Sequence, residues 1–93
     1  MQGKHAIIRT YSAGVHAGTV KSINGKEVVL ADARRLWYWK GAFTLNAVAN
    51  DGVDKGSKIS APVPEILLTE AIEVIPTSEA AQKNLTEFEI FKP

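Results

Sequence analysis

Two β-prone runs, Thr19–Ile23 and Lys26–Leu30, are separated by the dipeptide Asn24-Gly25. No other pattern in the chain constrains its fold as much. A two-residue hairpin turn of type I′ needs positive φ at both central positions, and Asn-Gly supplies it most readily. The two runs are therefore expected to pair as an antiparallel hairpin. That pairing commits the middle of the chain to a β-sheet.

The flanking segments read the same way. His5 to Tyr11 (HAIIRTY) is rich in β-branched and aromatic residues and predicts a strand. Ser12 to Gly18 (SAGVHAG) reads as a loop with two glycines. Ala31 to Arg34 reads as a turn or bulge. Arg35 to Lys40 (RLWYWK) predicts a short strand, with Leu36 and Tyr38 on one face and Trp37 and Trp39 on the other. Both faces then carry apolar bulk, so one must be covered by a partner subunit, a later segment or a ligand. Thr44 can cap a short helix near 44–50, ended by Asp51-Gly52. Pro62 and Pro64 keep Ile59–Val63 out of a central strand. Ala71–Ile75 predicts a strand stopped by Pro76, Ser78 starts a second helix near 78–85, and Glu87–Phe91 alternates as a last edge strand.

Ninety-three residues leave room for one small domain, 1–93, which buries only roughly 60–65% of its unfolded surface. The expected fold is mainly β with short helices: a small SH3-like or partly open β-barrel, or a curled antiparallel sheet. The limited core and the two apolar faces together predict a homo-oligomer.

Charge divides the chain. Residues 1–47 carry seven basic and two acidic side chains, a net +5, whereas residues 48–93 carry four basic and eight acidic, a net −4. Such asymmetry can build an anion-binding face, or it can pair two halves within a fold or across a dimer. The chain has no cysteine, which excludes a disulfide scaffold and thiolate metal sites. The apolar group Ala6–Ile8 is too short for a secretory leader, and no run approaches the roughly 20 residues of a membrane helix. No membrane partner is expected.

Two constellations carry potential chemistry. In SAGVHAG, Ser12, the amides around Gly14 and Gly18, and His16 can cradle an oxyanion, unless the glycines serve only tight turns. No Walker or dinucleotide motif is present. Arg34, Arg35, Trp37 and Trp39 place basic groups beside aromatic planes, a combination suited to ligand stacking, to a protein interface, or for the tryptophans to filling the core. His5 and His16 lie on different elements, so no metal site is expected. No nucleophile is placed beside a base, so neither catalytic residues nor a cofactor is expected.

The stretches IIRTYSAGVHAGTV, NGKEVVL, DARRLWYW and PVPEILLTEAIEVIP resemble an uncharacterised family of small proteins from tailed bacteriophages and prophages. The resemblance spans Ala6 to Pro76. It implies a phage accessory protein in the host bacterial cytoplasm, with no catalytic residue to carry over. The resulting expectation is a non-enzymatic oligomeric binder, or sponge, of an anionic nucleotide-like ligand, possible targets including a host immune signal. Its ligand residues would be Ser12, Gly14, His16, Gly18, Arg34, Arg35, Trp37 and Trp39. The alternatives are a protein-binding module that inhibits a host defence protein, or a single-stranded nucleic-acid binder.

Overall fold

In the computed structural model, which describes residues 1–93, the central hairpin pairs β2 (Val15–Asn24) with β3 (Glu27–Tyr38). Asn24 stands opposite Glu27, so the turn residues are Gly25 and Lys26, one position later than expected. Of these two only Gly25 has positive φ, +61°. Positive φ at the first central position alone marks a II′ turn, not the I′ turn expected from Asn-Gly.

Both strands outrun their predicted limits, β2 to ten residues and β3 to twelve. Val15–Gly18 is therefore strand, and the expected seven-residue loop contracts to Tyr11–Gly14. Ala31–Arg34 is a bulge within β3. Pairing steps from Ala17 opposite Arg34 to Thr19 opposite Ala31, so Gly18 faces two residues, Asp32 and Ala33. The extra residue is accommodated by Asp32 at φ +50°, a conformation short polar side chains tolerate better than most. Gly18 cannot be larger. A Cβ there would lie 2.8 Å from the Ala31 carbonyl oxygen and 3.2 Å from the Ala33 Cα.

The sheet runs β4 (Lys58–Ile59), β3, β2, β1 (His5–Thr10), β6 (Ala71–Pro76). The outer edge of β3 is shared: β4 pairs at Leu36 and Tyr38, and β5 (Val63–Leu68) pairs along Val28–Ala33. β5 and β6 follow each other in sequence but join opposite flanks of the sheet, which forces it to curl. No ladder joins β5 to β6, so the curl stays open. This corrects the small-barrel reading: the architecture is a curled, open antiparallel sheet with two short helices. Pro64 is accommodated because β5 is bonded on one side only.

Both faces of the sheet are buried. Ile7, Ala17, Leu36 and Ile59 pack under the helices with Val48, Ala49, Val53 and Leu85. Ala6, Ile8, Val20, Val28, Leu30, Ala33 and Leu68 fill the inside of the curl. The helices are α1 (Leu45–Asp51), capped by Thr44, and α2 (Glu79–Glu87), capped by Ser78. Asn84 of α2 locks onto Val53, its Oδ1 accepting from the Val53 amide at 2.8 Å and its Nδ2 donating to the Val53 carbonyl at 3.0 Å. The chain beyond α2 forms no strand. One backbone bond, from the Phe91 amide to the Ile59 carbonyl at 2.9 Å, attaches it.

A register shift between Leu36 and Tyr38 ends the alternation expected for RLWYWK. Leu36 and Trp39 pack against the same cluster, under the helices. The helices cover the side of Leu36 and Trp39 and leave Trp37 and Tyr38 outside, and the homo-oligomer expectation gains no support from the fold.

Replacing Gly18 with Ala should lower stability by about 1–3 kcal/mol, the range for forcing a methyl group into packed backbone. Urea denaturation measures it. Gly14 has open space around its Cα despite its positive φ, so Gly14→Ala should cost less, about 1 kcal/mol.

Candidate functional site

Past the bulge the alternation of β3 sets Arg34 and Arg35 on opposite faces. Arg34 points under α2 and is 5% exposed. Its Nε donates to the Ser60 carbonyl at 2.7 Å. Its Nη1 donates to the carbonyls of Leu85 at 2.9 Å and Phe88 at 2.7 Å, and Nη2 reaches the Glu89 carbonyl at 3.4 Å. Carbonyls at a helix C-terminus have no partners within the helix and carry its negative dipole end, so a guanidinium is well suited to them. Burial lowers the Arg34 pKa, yet it remains a cation. Most of its fork is occupied by the chain itself.

Arg35 lies exposed on the other face, across from His16. Its backbone is pinned by Ser60, whose hydroxyl accepts from the Arg35 amide at 2.8 Å and whose amide donates to the Arg35 carbonyl at 3.0 Å. Two positions on, Trp37 shares the face of Arg35 and is 68% exposed. Its ring meets that of Phe91 at 5.8 Å with a 43° tilt. Lys58 Nζ sits 4.9 Å from the Trp37 ring centre, 5.2 Å from Phe91 and 5.8 Å from Tyr38. Such cation–π contacts, together with the Phe91 attachment to Ile59, hold an exposed tryptophan in one place. Arg35, Trp37, Lys58, Phe91 and Pro93 wall an open cleft of about 410 Å³.

The other expected ligand residues scatter. Ser12 and Gly14 sit at the exposed tip of the β1–β2 hairpin. That tip is organised from within: Thr10 Oγ1 accepts from the Ala13 amide and donates to the Gly14 carbonyl, both at 2.8 Å. His16 is 1% exposed and its Nε2 bonds the Ala13 carbonyl at 2.9 Å, which fixes the Nε2–H tautomer. It does share a second, smaller depression with Arg35, between Ser60 and the start of β5. Gly18 is buried against backbone. Trp39 is half-buried and packs against the cluster under the helices. The single pocket required by a nucleotide sponge, with the SAGVHAG loop, an arginine and a tryptophan converging, does not form. Only His16, Arg35 and Trp37 fall along one face.

Sequence reasoning missed Lys58 and Phe91. Lys58 arrives through a two-residue strand, too short to stand out. Phe91 ends the Glu87–Phe91 segment that the sequence predicts as an edge strand and that the structure does not form.

Residues 3–85 match a domain of unknown function, DUF6948. The chain belongs to this family. No curated protein and no solved structure matches it. The kinship expected from the sequence is thus met by an uncharacterised domain family, with no assignment to bacteriophages. The phage, anti-defence and nucleotide-binding labels find no support in that match, and they are withdrawn. No helix is long and apolar enough to cross a membrane, and no group of three His, Asp or Glu side chains is placed to hold a metal.

Two outcomes follow from the buried cations and imidazoles. Arg34→Met leaves the α2 carbonyls without their donors and should lower stability by about 3 kcal/mol, read by urea denaturation. Burial also lowers the pKa of His5 and of His16, where it outweighs the bond to Ala13. The unfolded chain then takes up protons below about pH 6.5 that the folded chain refuses until lower pH. Folding stability should therefore fall as pH drops from 7 to 5. NMR titration of the two imidazoles should give midpoints below 6.5, and values at or above it would contradict the assignment.

Proposed function

We propose that the protein is a binding module, without turnover, that captures a partner protein through the cleft between Trp37 and Phe91. The observation that carries this reading is the exposure of Trp37, a residue of a size normally buried, held in a fixed pose by Phe91 and Lys58. Fixed aromatics beside arginine are the residue types that anchor protein interfaces, because they give large contact area at small entropic cost. The surface continues past the cleft to Tyr38, 46% exposed, at the end of β3.

The chemistry of the walls defines the partner segment. The apolar floor between Trp37, Ile59 and Phe91 accepts an aliphatic or aromatic side chain. Arg35 on one side and Lys58 on the other favour flanking carboxylates, and neither cation is engaged in an ion pair within the chain. An acidic peptide with one large apolar residue satisfies both requirements.

Selection of a random displayed peptide library on the purified protein tests this. Recovered peptides should share an apolar residue next to Asp or Glu. Trp37→Ala should weaken their binding by about 30-fold, the equivalent of about 2 kcal/mol at an interface anchor. Arg35→Ala should weaken it less and reduce its salt dependence. Recovery of no consensus, or binding indifferent to Trp37→Ala, would overturn the reading. Preferential binding of short single-stranded nucleic acids would favour stacking on bases instead.

A further inference from the structure

A separate cavity lies on the opposite face of the sheet, between α2 and the β2–β3 bulge, and encloses about 390 Å³. It shares no side chain with the Trp37 cleft. Six of its nine lining residues are polar: Arg34 and Asp32 from the bulge, Thr19 from β2, His5 from β1, and Gln82 and Thr86 from α2. The volume falls in the range of small-molecule sites.

The charges here are unmatched. The ion pairs of the chain are Arg9–Glu73 and Lys21–Glu65, both on the surface. Neither Arg34 nor Asp32 has an opposite charge within 4 Å, although they lie two residues apart and line the same space. Arg34 is a buried cation neutralised only by carbonyl dipoles. Of its nitrogens, Nη2 has a single long contact, 3.4 Å to the Glu89 carbonyl, so it keeps an N–H for another acceptor. Asp32 sits at the rim, held there by the bulge that sets its φ at +50°. Buried or half-enclosed charges are stabilised by a counter-charge, and this cavity separates a cation from a carboxylate without letting them meet.

We propose that the cavity binds a small zwitterion of the free α-amino acid class, its carboxylate accepting from Arg34 Nη2 and its ammonium facing Asp32. Gln82 and Thr86 on α2 supply neutral hydrogen-bonding groups along the wall. His5 is committed elsewhere: its Nδ1 pairs with Thr77 Oγ1 at 2.6 Å. Enclosure under α2 limits the side chain that such a ligand can carry.

The test uses the full chain, labelled with ¹⁵N, and the free α-amino acids added one at a time at about 10 mM, above the roughly millimolar Kd that so small a ligand supports. At least one should shift the amides of residues 32–34 and 82–86. Its N-acetyl and methyl-ester forms should each bind about tenfold or more weakly, the loss expected for one charge-assisted contact. Asp32→Asn preserves the backbone, since Asn also tolerates positive φ, and should abolish the preference for the free amine over its N-acetyl form. The proposal is overturned if no free amino acid shifts these amides, if capped and free forms bind alike, or if Asp32→Asn leaves the discrimination intact. Shifts confined to Trp37 and Phe91 overturn it as well.

Discussion

The guanidinium of Arg34 ties together three parts of the chain that are far apart in sequence. It starts in β3, crosses the layer under the helices, and ends on carbonyls of Ser60, Leu85 and Phe88. Ser60 follows β4, and its own amide and hydroxyl hold the backbone of Arg35. Leu85 and Phe88 end α2 and direct the tail toward Phe91. Without those bonds the end of α2 would bury orphan carbonyls, and the tail would lose its heading toward Trp37. The surface cleft thus rests on a buried cation on the far side of the sheet.

The bulge opposite Gly18 makes that connection possible. A regular ladder through residues 31–36 would hold β3 flat and pair it with one outer strand. One extra residue at Asp32–Ala33 adds twist, and β3 then serves β5 with its first half and β4 with its second. The same twist brings β5 and β6 toward each other while leaving them unpaired. A glycine is required at position 18 because the bulged backbone passes too close for any Cβ. One glycine and one left-handed aspartate therefore decide the curl of the sheet and the shape of both cavities.

The sequence made the local features legible and left the long-range ones hidden. Thr44 and Ser78 announced their helices, because a side-chain cap acts within three residues. The hairpin was legible too, but its turn slipped by one residue. Asn24 stays in the ladder opposite Glu27, and glycine alone satisfies a II′ turn. Gly18 looked like a loop residue because sequence shows that a glycine is present and not which backbone crowds it. The site was less legible still. Trp37 and Trp39 have the same composition around them and similar neighbours, yet a register shift against a two-residue strand sends Trp39 to the core and leaves Trp37 outside. Neither Lys58 nor Phe91 lies near Trp37 in sequence, so nothing local connects them.

Arg34 and Arg35 show how far the alternation of a strand can separate chemistry. They are adjacent, identical in type, and bonded through the same residue, Ser60, one by side chain and one by backbone. One is solvated and bare; the other is buried and almost fully bonded. Burial costs the Arg34 cation its water, and the carbonyls at the end of α2 replace that water in fixed positions. Arg35 keeps its water and is free to exchange it for a carboxylate from outside. The faces of β3 therefore divide the work: the Arg34 face fixes the fold and encloses a polar cavity, and the Arg35 face presents aromatic and basic groups outward. A strand with a single buried face could not do both. The curl that buries both faces of the sheet still leaves Arg35, Trp37 and Tyr38 exposed at the end of β3, where a partner can reach them.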